Sequence, residues 1–507
     1  MSKVSLGFYN FTRGVISPLV SGRVDYEGYF NGATILDNFL IKVQGPITKR
    51  PGFYYIATAG VTTAPVRMIP FEFSKEQAYA LEFGEFYMRV YRDLGQVLSG
   101  TSAYEITTPW AGASLHEIQY TQSADTIFIT HPETMPQKLV RYGHTNWHLS
   151  GVSPDLAPVQ PVSANGGVSL VWTPSATYSY VGDTGCVRTG IDPTSGGTTV
   201  FYSSDVGLTW RINQASGTSD SFKIIALDPY RPGTSAYVQV AHSNGTWIAN
   251  APFYAYGKPS WSARGGYPAC VKFHENRLYY AGTSQEPSTM WGSYVGDYTN
   301  FCLRNDPDAA IDADAVSFTA LNSNAIRWLE SVDNLLVGTM GGVMKVSSGA
   351  DESPINYEST LKTHSRRGCE NIMPEIVGES IMYVQRGGRK IRELAYSLER
   401  DGYVAPDRTI VAEHIIKSGV SYMAYQQEPD GVLWCVIKDG TLAAFTYEPE
   451  EKVLGWSRHS TSGVIESICL IPGPTGDELW ASVIRNIAGV STRFVECMNP
   501  QDIDYSL

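Results

Sequence analysis

Seven times along the chain an acidic residue or its amide stands two positions before a run of apolar residues, and a turn then leads into a second apolar run. The anchors are Glu76, Asp125, Asn276, Asp333, Glu379, Asp430 and Asp477, separated by 49, 151, 57, 46, 51 and 47 residues. Five intervals agree on a unit of about 50 residues, the period of a β-propeller blade, and the long one equals one unit plus an insertion of about 100.

The segments behind the anchors, AYALEF, TIFIT, RLYYAG, LLVGT, IMYVQ, VLWCV and LWASV, are rich in β-branched and aromatic residues, as buried strands are. Phe83-Gly84-Glu85, Gly341-Gly342, Gly387-Gly388 and Asp439-Gly440 supply the backbone freedom of tight hairpins. The pattern predicts an all-β chain: a β-propeller of about seven blades, open to distortion, with an inserted β-sandwich or platform domain and an extended N-terminal arm. The plain alternative is an all-β chain of accidental regularity. Spacing and polarity recur together, which favours the propeller.

Punctuation divides the chain into four regions. Residues 1–60, broken by Gly14, Pro18, Gly22, Gly32, Gly45 and Pro46, form an arm and edge strands without a core of their own. Residues 61–150 hold the first part of the propeller. Residues 151–264 turn rich in Gly, Ser, Thr and Pro, with strands expected at 168–172, 199–202, 221–226 and 236–240, and form the insert. Residues 265–507 return to the repeat as the second part. Such an arm is ordered by docking, on a neighbouring copy or on its own propeller.

Composition narrows the functional classes. The low charged fraction, 17%, with 48 glycines and 31 tyrosines suits turn-rich sheet. No run of 18 apolar residues occurs and the start, Met1-Ser2-Lys3-Val4, lacks an apolar leader, so a soluble chain made in a cytoplasm is expected. The formal net charge of −12 argues against adhesion to phosphate backbones, whereas acidic walls let DNA pass without sticking. Seven cysteines, Cys186, Cys270, Cys302, Cys369, Cys435, Cys469 and Cys497, form no C-x-x-C pair and are read as reduced core residues.

The search for chemistry is mostly negative. The chain has no phosphate-binding loop, zinc-protease helix or nucleophile elbow, and its nine histidines are isolated. Asp306, Asp308, Asp312 and Asp314 lack the turn glycine of a calcium loop and are read as a solvated loop, with cation binding the lesser alternative. Trp291, Tyr294 and Tyr298 suit either sugar stacking or, more commonly, blade packing. Neither catalytic residues nor a metal or cofactor is assigned, and the chain is expected not to be an enzyme.

The stretch NFTRGVISPLVSGRVDYEGYFNGATILDNFLIKVQGPITKRPG resembles the opening of short-tailed bacteriophage tail nozzle proteins, the tail tubular protein B family. The similar elements are Ile16-Ser17-Pro18, Gly22-Arg23-Val24-Asp25, Tyr29, Gly32, Asn38-Phe39, Gln44-Gly45 and Arg50-Pro51-Gly52. Further matches run through Gln122 to Pro132, Gly266 to Phe273, Arg277-Leu278, Trp291-Gly292-Ser293, Asp439 to Leu442 and Trp456 to His459. The likeness lies in their ordered combination over most of the chain outside the insert. Against that family the chain ends early, at Asp504-Tyr505-Ser506-Leu507, and the insert matches nothing in it.

The resemblance implies a virion protein of a short tail: a propeller-bearing nozzle that assembles as a homohexameric ring at the distal end of the tail tube. Its implied partners are further copies of itself, the tail adaptor, tail fibres or spikes, double-stranded DNA in transient passage, and the host surface. Arg23, Asp25, Tyr26, Tyr29, Phe30 and Phe39 are the candidate assembly residues, since a coreless arm carrying aromatics can anchor on a neighbour. From a different class, a glycan-binding or glycan-cleaving propeller acting as a host-receptor module is the alternative.

Overall fold

The computed structural model describes residues 10–23, 25, 26, 28–152, 158, 163, 164, 170–174, 184–189, 200–213, 219–229, 234–242, 252, 253, 255–257, 259–301, 312–320, 324–348, 354–400 and 402–498. Among the described residues the protein is an all-β propeller of seven four-stranded antiparallel blades. The first blade comprises Arg67–Ser74, Gln77–Gly84, Tyr87–Arg92 and Glu105–Thr107, and the second Gln119–Ser123, Thr126–His131, Thr134–Gly143 and Asn146–Gly151. The third holds Cys270–His274, Arg277–Ala281, Thr289–Gly292 and Val316–Thr319, and the fourth Ile326–Ser331, Leu335–Thr339, Val343–Ser347 and Thr360–Ser365. Glu375–Val377, Ser380–Val384, Ile391–Ser397 and Gly402–Val404 make the fifth, and Val420–Gln426, Val432–Ile437, Leu442–Glu448 and Val453–His459 the sixth.

The seventh blade closes the ring. Its first three strands, Gly463–Pro472, Asp477–Ile487 and Val490–Met498, come from the far end of the chain, and its fourth, Tyr54–Thr58, from the near end. Val495 pairs with Ala57 and Cys497 with Tyr54. The first strands of neighbouring blades touch one another, so they line the axis.

Every anchor lies in, or at the end of, the turn from first to second strand of its blade. The apolar residue two places later is buried in each case, and six of the seven pack toward the preceding blade. Thus Ile127 joins Phe71, Leu278 joins Phe128, and Leu479 joins Trp434. The sixth blade slips by one residue: Val432 packs with Leu470 and Leu479 of the following blade, and Leu433 takes the inner role beside Met382. A one-residue offset flips a strand's faces, so the anchor spacing alone misplaces this strand.

Alternation of turns sorts the loops. First-to-second and third-to-fourth strand turns emerge on one face of the propeller; second-to-third turns and the links between blades emerge on the other. The insert leaves from a link, between Gly151 of the second blade and Cys270 of the third. Its described strands pair in one eight-stranded path around Leu170, Val187, Trp210, Phe222, Ile224 and Val238. Of the strands expected, 221–226 and 236–240 are present and 170–172 lies within Leu170–Pro174, whereas Phe201 and Tyr202 lead into a short helical turn at Ser203–Asp205; 168, 169 and 199 lie outside the described residues.

Candidate functional site

Two features bear on a DNA conduit, the propeller axis and the arm. The axis is filled by side chains from the first strands. Arg67 enters from the first blade and is held by the carbonyls of Leu115, His116 and Ile118, the first at 2.9 Å, while its guanidinium stacks 5.2 Å from the Tyr422 ring centre. From the second blade, Gln119 donates to the Arg327 carbonyl at 2.6 Å and to Asn371 Oδ1 at 3.2 Å, strapping one side of the ring to the other. Lys272 of the third blade meets the buried Glu330 of the fourth at 2.6 Å.

Between these groups lies a cavity of about 40 Å³, lined by Arg67, Gln119, Tyr120, Glu375 and Tyr422 among others. That is room for roughly three water molecules. A duplex ~20 Å across cannot enter. Glu375 faces this space, and burial pushes its carboxyl up to about 8; Glu330 and Glu72 add to the rise and Lys272 opposes it. Glu72, at the far end of the first blade's inner strand, is also raised, first by burial and then by Asp477. Its backbone N–H and C=O are both engaged by the Gln122 side chain, at 3.0 and 2.7 Å, locking the first two blades together.

Three of the anchors serve as struts. Asp477 accepts from the N–H groups of Gln427 and Glu428 at 2.7 and 3.1 Å, Asp125 pairs with Arg141, and Asp430 with Lys42 of the arm. No group of three His, Cys, Asp or Glu among the described residues is placed to hold a metal. Asp306 and Asp308 lie outside the described residues; the backbone carbonyls of Asp312 and Asp314 receive the Arg277 guanidinium. Trp291 is buried among Val271, Tyr280 and Phe301, and Tyr298 meets Phe273 edge-on at 5.0 Å, so both pack blades. Cys270, Cys369, Cys435, Cys469 and Cys497 are reduced and buried; the side chains of Cys186 and Cys302 lie outside the description.

The arm is ordered on its own propeller. Gly14–Val15 runs parallel to the outer strand of the sixth blade, Gly14 pairing with Trp456, and Gly32–Ala33 adds a further strand outside it. Gly14 is at φ +61, where a Cβ would lie 2.3 Å from the Trp456 carbonyl oxygen, so only glycine seats the arm this closely. Val15, Leu36 and Ile41 then enter the core with Phe445 and Trp456, and Leu40 packs beside Trp434. Polar ties follow: Ser17 donates to Glu413 at 2.7 Å, Thr446 to the Ile41 carbonyl at 3.1 Å, and Lys42 pairs with Asp430. Asn38, at φ +63, accepts from Arg50 and from the Ser460 N–H. The motif residues at the start of the chain therefore build the attachment to the sixth blade, and docking on a neighbour is not needed to order it.

What remains outside is the candidate assembly surface. Arg23 and Asp25 are exposed and pair with each other at 2.5 Å, which lowers the carboxyl pKa. Tyr26 is half-buried; Tyr29 accepts from the Gly22 N–H at 3.2 Å and meets Phe30 edge-on. Phe30 is 52% and Phe39 38% exposed, and Leu19 and Ile35 stand out still further at 83% and 72%. The first five lie in one turn region; Phe39 sits on a separate hairpin, Phe39–Ile41 with Ile47–Lys49. The sequence singled out the aromatics but not Leu19 or Ile35, the most exposed apolar residues among the described part of the arm.

No protein-family model and no curated protein matches the chain. Among solved structures it is similar to the Pan2 WD40 domain of Neurospora crassa, at 7% identity over 86% of this chain and 89% of that one, with a TM-score of 0.35. It is also similar to the RRP9 WD40 repeats, at 8% identity over 76% and 98% with a TM-score of 0.32, and to the computationally designed Ika8 protein, at 9% over 88% and 99% with a TM-score of 0.36. The fold stands on the chain's own seven sheets, closed by Tyr54–Thr58.

Proposed function

We propose that this chain is a structural component of a short phage tail, forming a ring-shaped nozzle at the distal end of the tube that conducts DNA during ejection and closes the tail after packaging. The observation that carries the reading is the ordered run of family motifs from Asn10 to Gly52 and onward through the blades. The closed axis is consistent with it. The cavity between Arg67, Gln119 and Glu375 has room for only a few waters, so in this reading a lumen for duplex DNA lies between copies, which requires a heterologous interface repeated around a ring. Arg23, Asp25, Tyr26, Tyr29, Phe30 and Phe39, with Leu19 and Ile35 beside them in sequence, offer part of that interface on the outer side of an arm whose inner side is already committed.

Electron micrographs of the purified protein, alone and with its tail adaptor, test the proposal. Sixfold rings with a lumen wide enough for a duplex are expected. A monomer or trimer that binds host glycans and forms no ring with the adaptor would replace it with the receptor-module reading.

A further inference from the structure

The two faces of the propeller differ in charge. The face bearing the anchors carries exposed Glu76, Asp93, Asp297, Asp333, Glu379 and Glu451. On the opposite face, links and second-to-third strand turns of the fourth to sixth blades present exposed Arg366, Arg367, Arg386, Arg389, Lys417 and Lys438. Backbone hydrogen bonds stitch these loops into one surface. The Arg386 N–H reaches the Gly368 carbonyl, the Val420 N–H reaches Gly388 and the Lys438 N–H reaches Gly419, each at 2.8 Å. A Cβ added to Gly388 would lie 4.0 Å from Lys438 Nζ.

The acids of these loops in the fourth to sixth blades are already engaged. Asp407 pairs with Lys390 at 2.9 Å, Glu370 accepts from the Gly387 N–H at 2.9 Å, and Glu413 accepts from Ser17. Asp439 accepts from Thr441 and stands 3.8 Å from Arg458. None of the six basic side chains has an ion-pair partner among the described residues. In a chain of net charge −12 they form a cationic field of their own, and at physiological salt the repulsion from acids more than about 8 Å away is screened.

We propose that this face docks the phosphate backbone of duplex nucleic acid. The composition of the patch selects the ligand. Ser365 to Cys369, Gln385 to Lys390, Lys417 to Val420 and Lys438 to Gly440 contain no aromatic residue, so bases of a single strand have nothing to stack on. A protein partner would be expected to find clustered aromatic or apolar anchors, whereas the exposed apolar side chains near these loops, Met340, Ile410 and Val464, lie on three separate segments. What the patch supplies is four guanidinium forks and two ammonium groups on glycine-rich loops that allow close approach, the chemistry of phosphate contact without base readout. The contact holds DNA reversibly, beside a path that is otherwise acidic, and the inference stands whether or not rings form.

Fluorescence anisotropy of the purified full-length protein with a labelled mixed-sequence duplex of about 30 base pairs tests it, with log K measured against log salt. Six phosphate contacts give a slope of roughly −5. Replacing Arg366, Arg367, Arg386 and Arg389 with Gln together should weaken binding at least about tenfold at low salt and bring the slope toward roughly −2, with unchanged melting. Lys75→Gln with Lys452→Gln on the opposite face should change neither. If the fourfold variant melts early, the pairs Arg366/Arg367 and Arg386/Arg389 are replaced separately, each expected to reduce the slope by about 2. Absence of duplex binding by the native protein at about 50 mM salt overturns the proposal. So does undiminished binding by a folded variant, or an effect of the substitutions only on association between copies through their acidic faces.

Discussion

Replacing Ile41 by alanine distinguishes an arm that belongs to the folded core from one that merely lies on it. Ile41 is fully buried against Phe445, Trp456 and Ile416, and its carbonyl is held by Thr446. Losing three carbon atoms from such a site costs about 2.4 kcal/mol at ~0.8 kcal/mol per buried carbon. The void beneath Trp456 closes only in part, which raises the cost to roughly 3–4 kcal/mol. Phe30, 52% exposed on the same arm, sets the contrast: its removal should cost less than about 1 kcal/mol and act on ring assembly instead. Urea unfolding followed by tryptophan fluorescence measures both variants. If Ile41→Ala unfolds within about 0.5 kcal/mol of the native protein, or Phe30→Ala costs as much, the arm is not part of the core. By the same reasoning, deleting residues 10–50 removes Val15, Leu36, Leu40 and Ile41 together and should leave a propeller with an open sixth blade, not a normal one lacking rings.

Four shorter predictions follow the same logic. Glu375 is raised from an ordinary 4.5 to about 8, so the folded protein holds a proton that the unfolded chain releases between those values; its stabilising contribution is complete below the lower value and lost as pH climbs through the upper. The fall in urea midpoint between about pH 5 and pH 9 should therefore be smaller in Glu375→Gln, and an equal fall in both proteins removes Glu375 as its cause. Lys42→Met strands the largely buried Asp430 carboxylate and should cost about 3–5 kcal/mol, while the double change with Asp430→Leu recovers much of it; additive losses in the double-mutant cycle would deny the coupling. Leu335→Ala, fully buried between third and fourth blades, should cost roughly 2–5 kcal/mol in the same assay, and a neutral result would break the equivalence of the anchors. Incubation with bacterial lipopolysaccharide, capsule or peptidoglycan should release no fragments, and cleavage lost on replacing one carboxylate would make the chain an enzyme.

The blades were legible because each second strand is buried on both faces, and a run such as Leu335 to Thr339 can hardly be anything else when a turn signal stands before it. Val432 marks the limit of that signal: anchor spacing counts residues but not which side of the sheet they face. The axis was not legible at all. Arg67, Gln119, Lys272 and Glu375 sit on first strands whose polar residues look solvent-facing until seven of them are brought to one centre. The arm was recognised as lacking a core, but Val15, Leu36 and Ile41 find one only through Trp456, more than 400 positions away, which no local pattern encodes. Net charge is equally silent on placement, because a total of −12 says nothing about Arg366 to Lys438 sharing one face while the anchors crowd the other.

Closure by Tyr54–Thr58 has a consequence for synthesis. Arg493 donates to the Thr62 carbonyl at 2.9 Å across a sequence separation of 431 residues, and the strand beside it can pair only when the last blade exists. At roughly 5–20 residues per second, the early strand waits on the order of 20–90 s after leaving the ribosome, with its hydrogen-bonding edge unclaimed. Tyr54, Tyr55 and Ile56 on that strand are attractive to any other open sheet during the interval, including those of a second nascent chain. The feature that makes the finished ring hard to open is thus the one that makes its birth slow and crowding-sensitive, so yield should rise when translation or temperature is lowered.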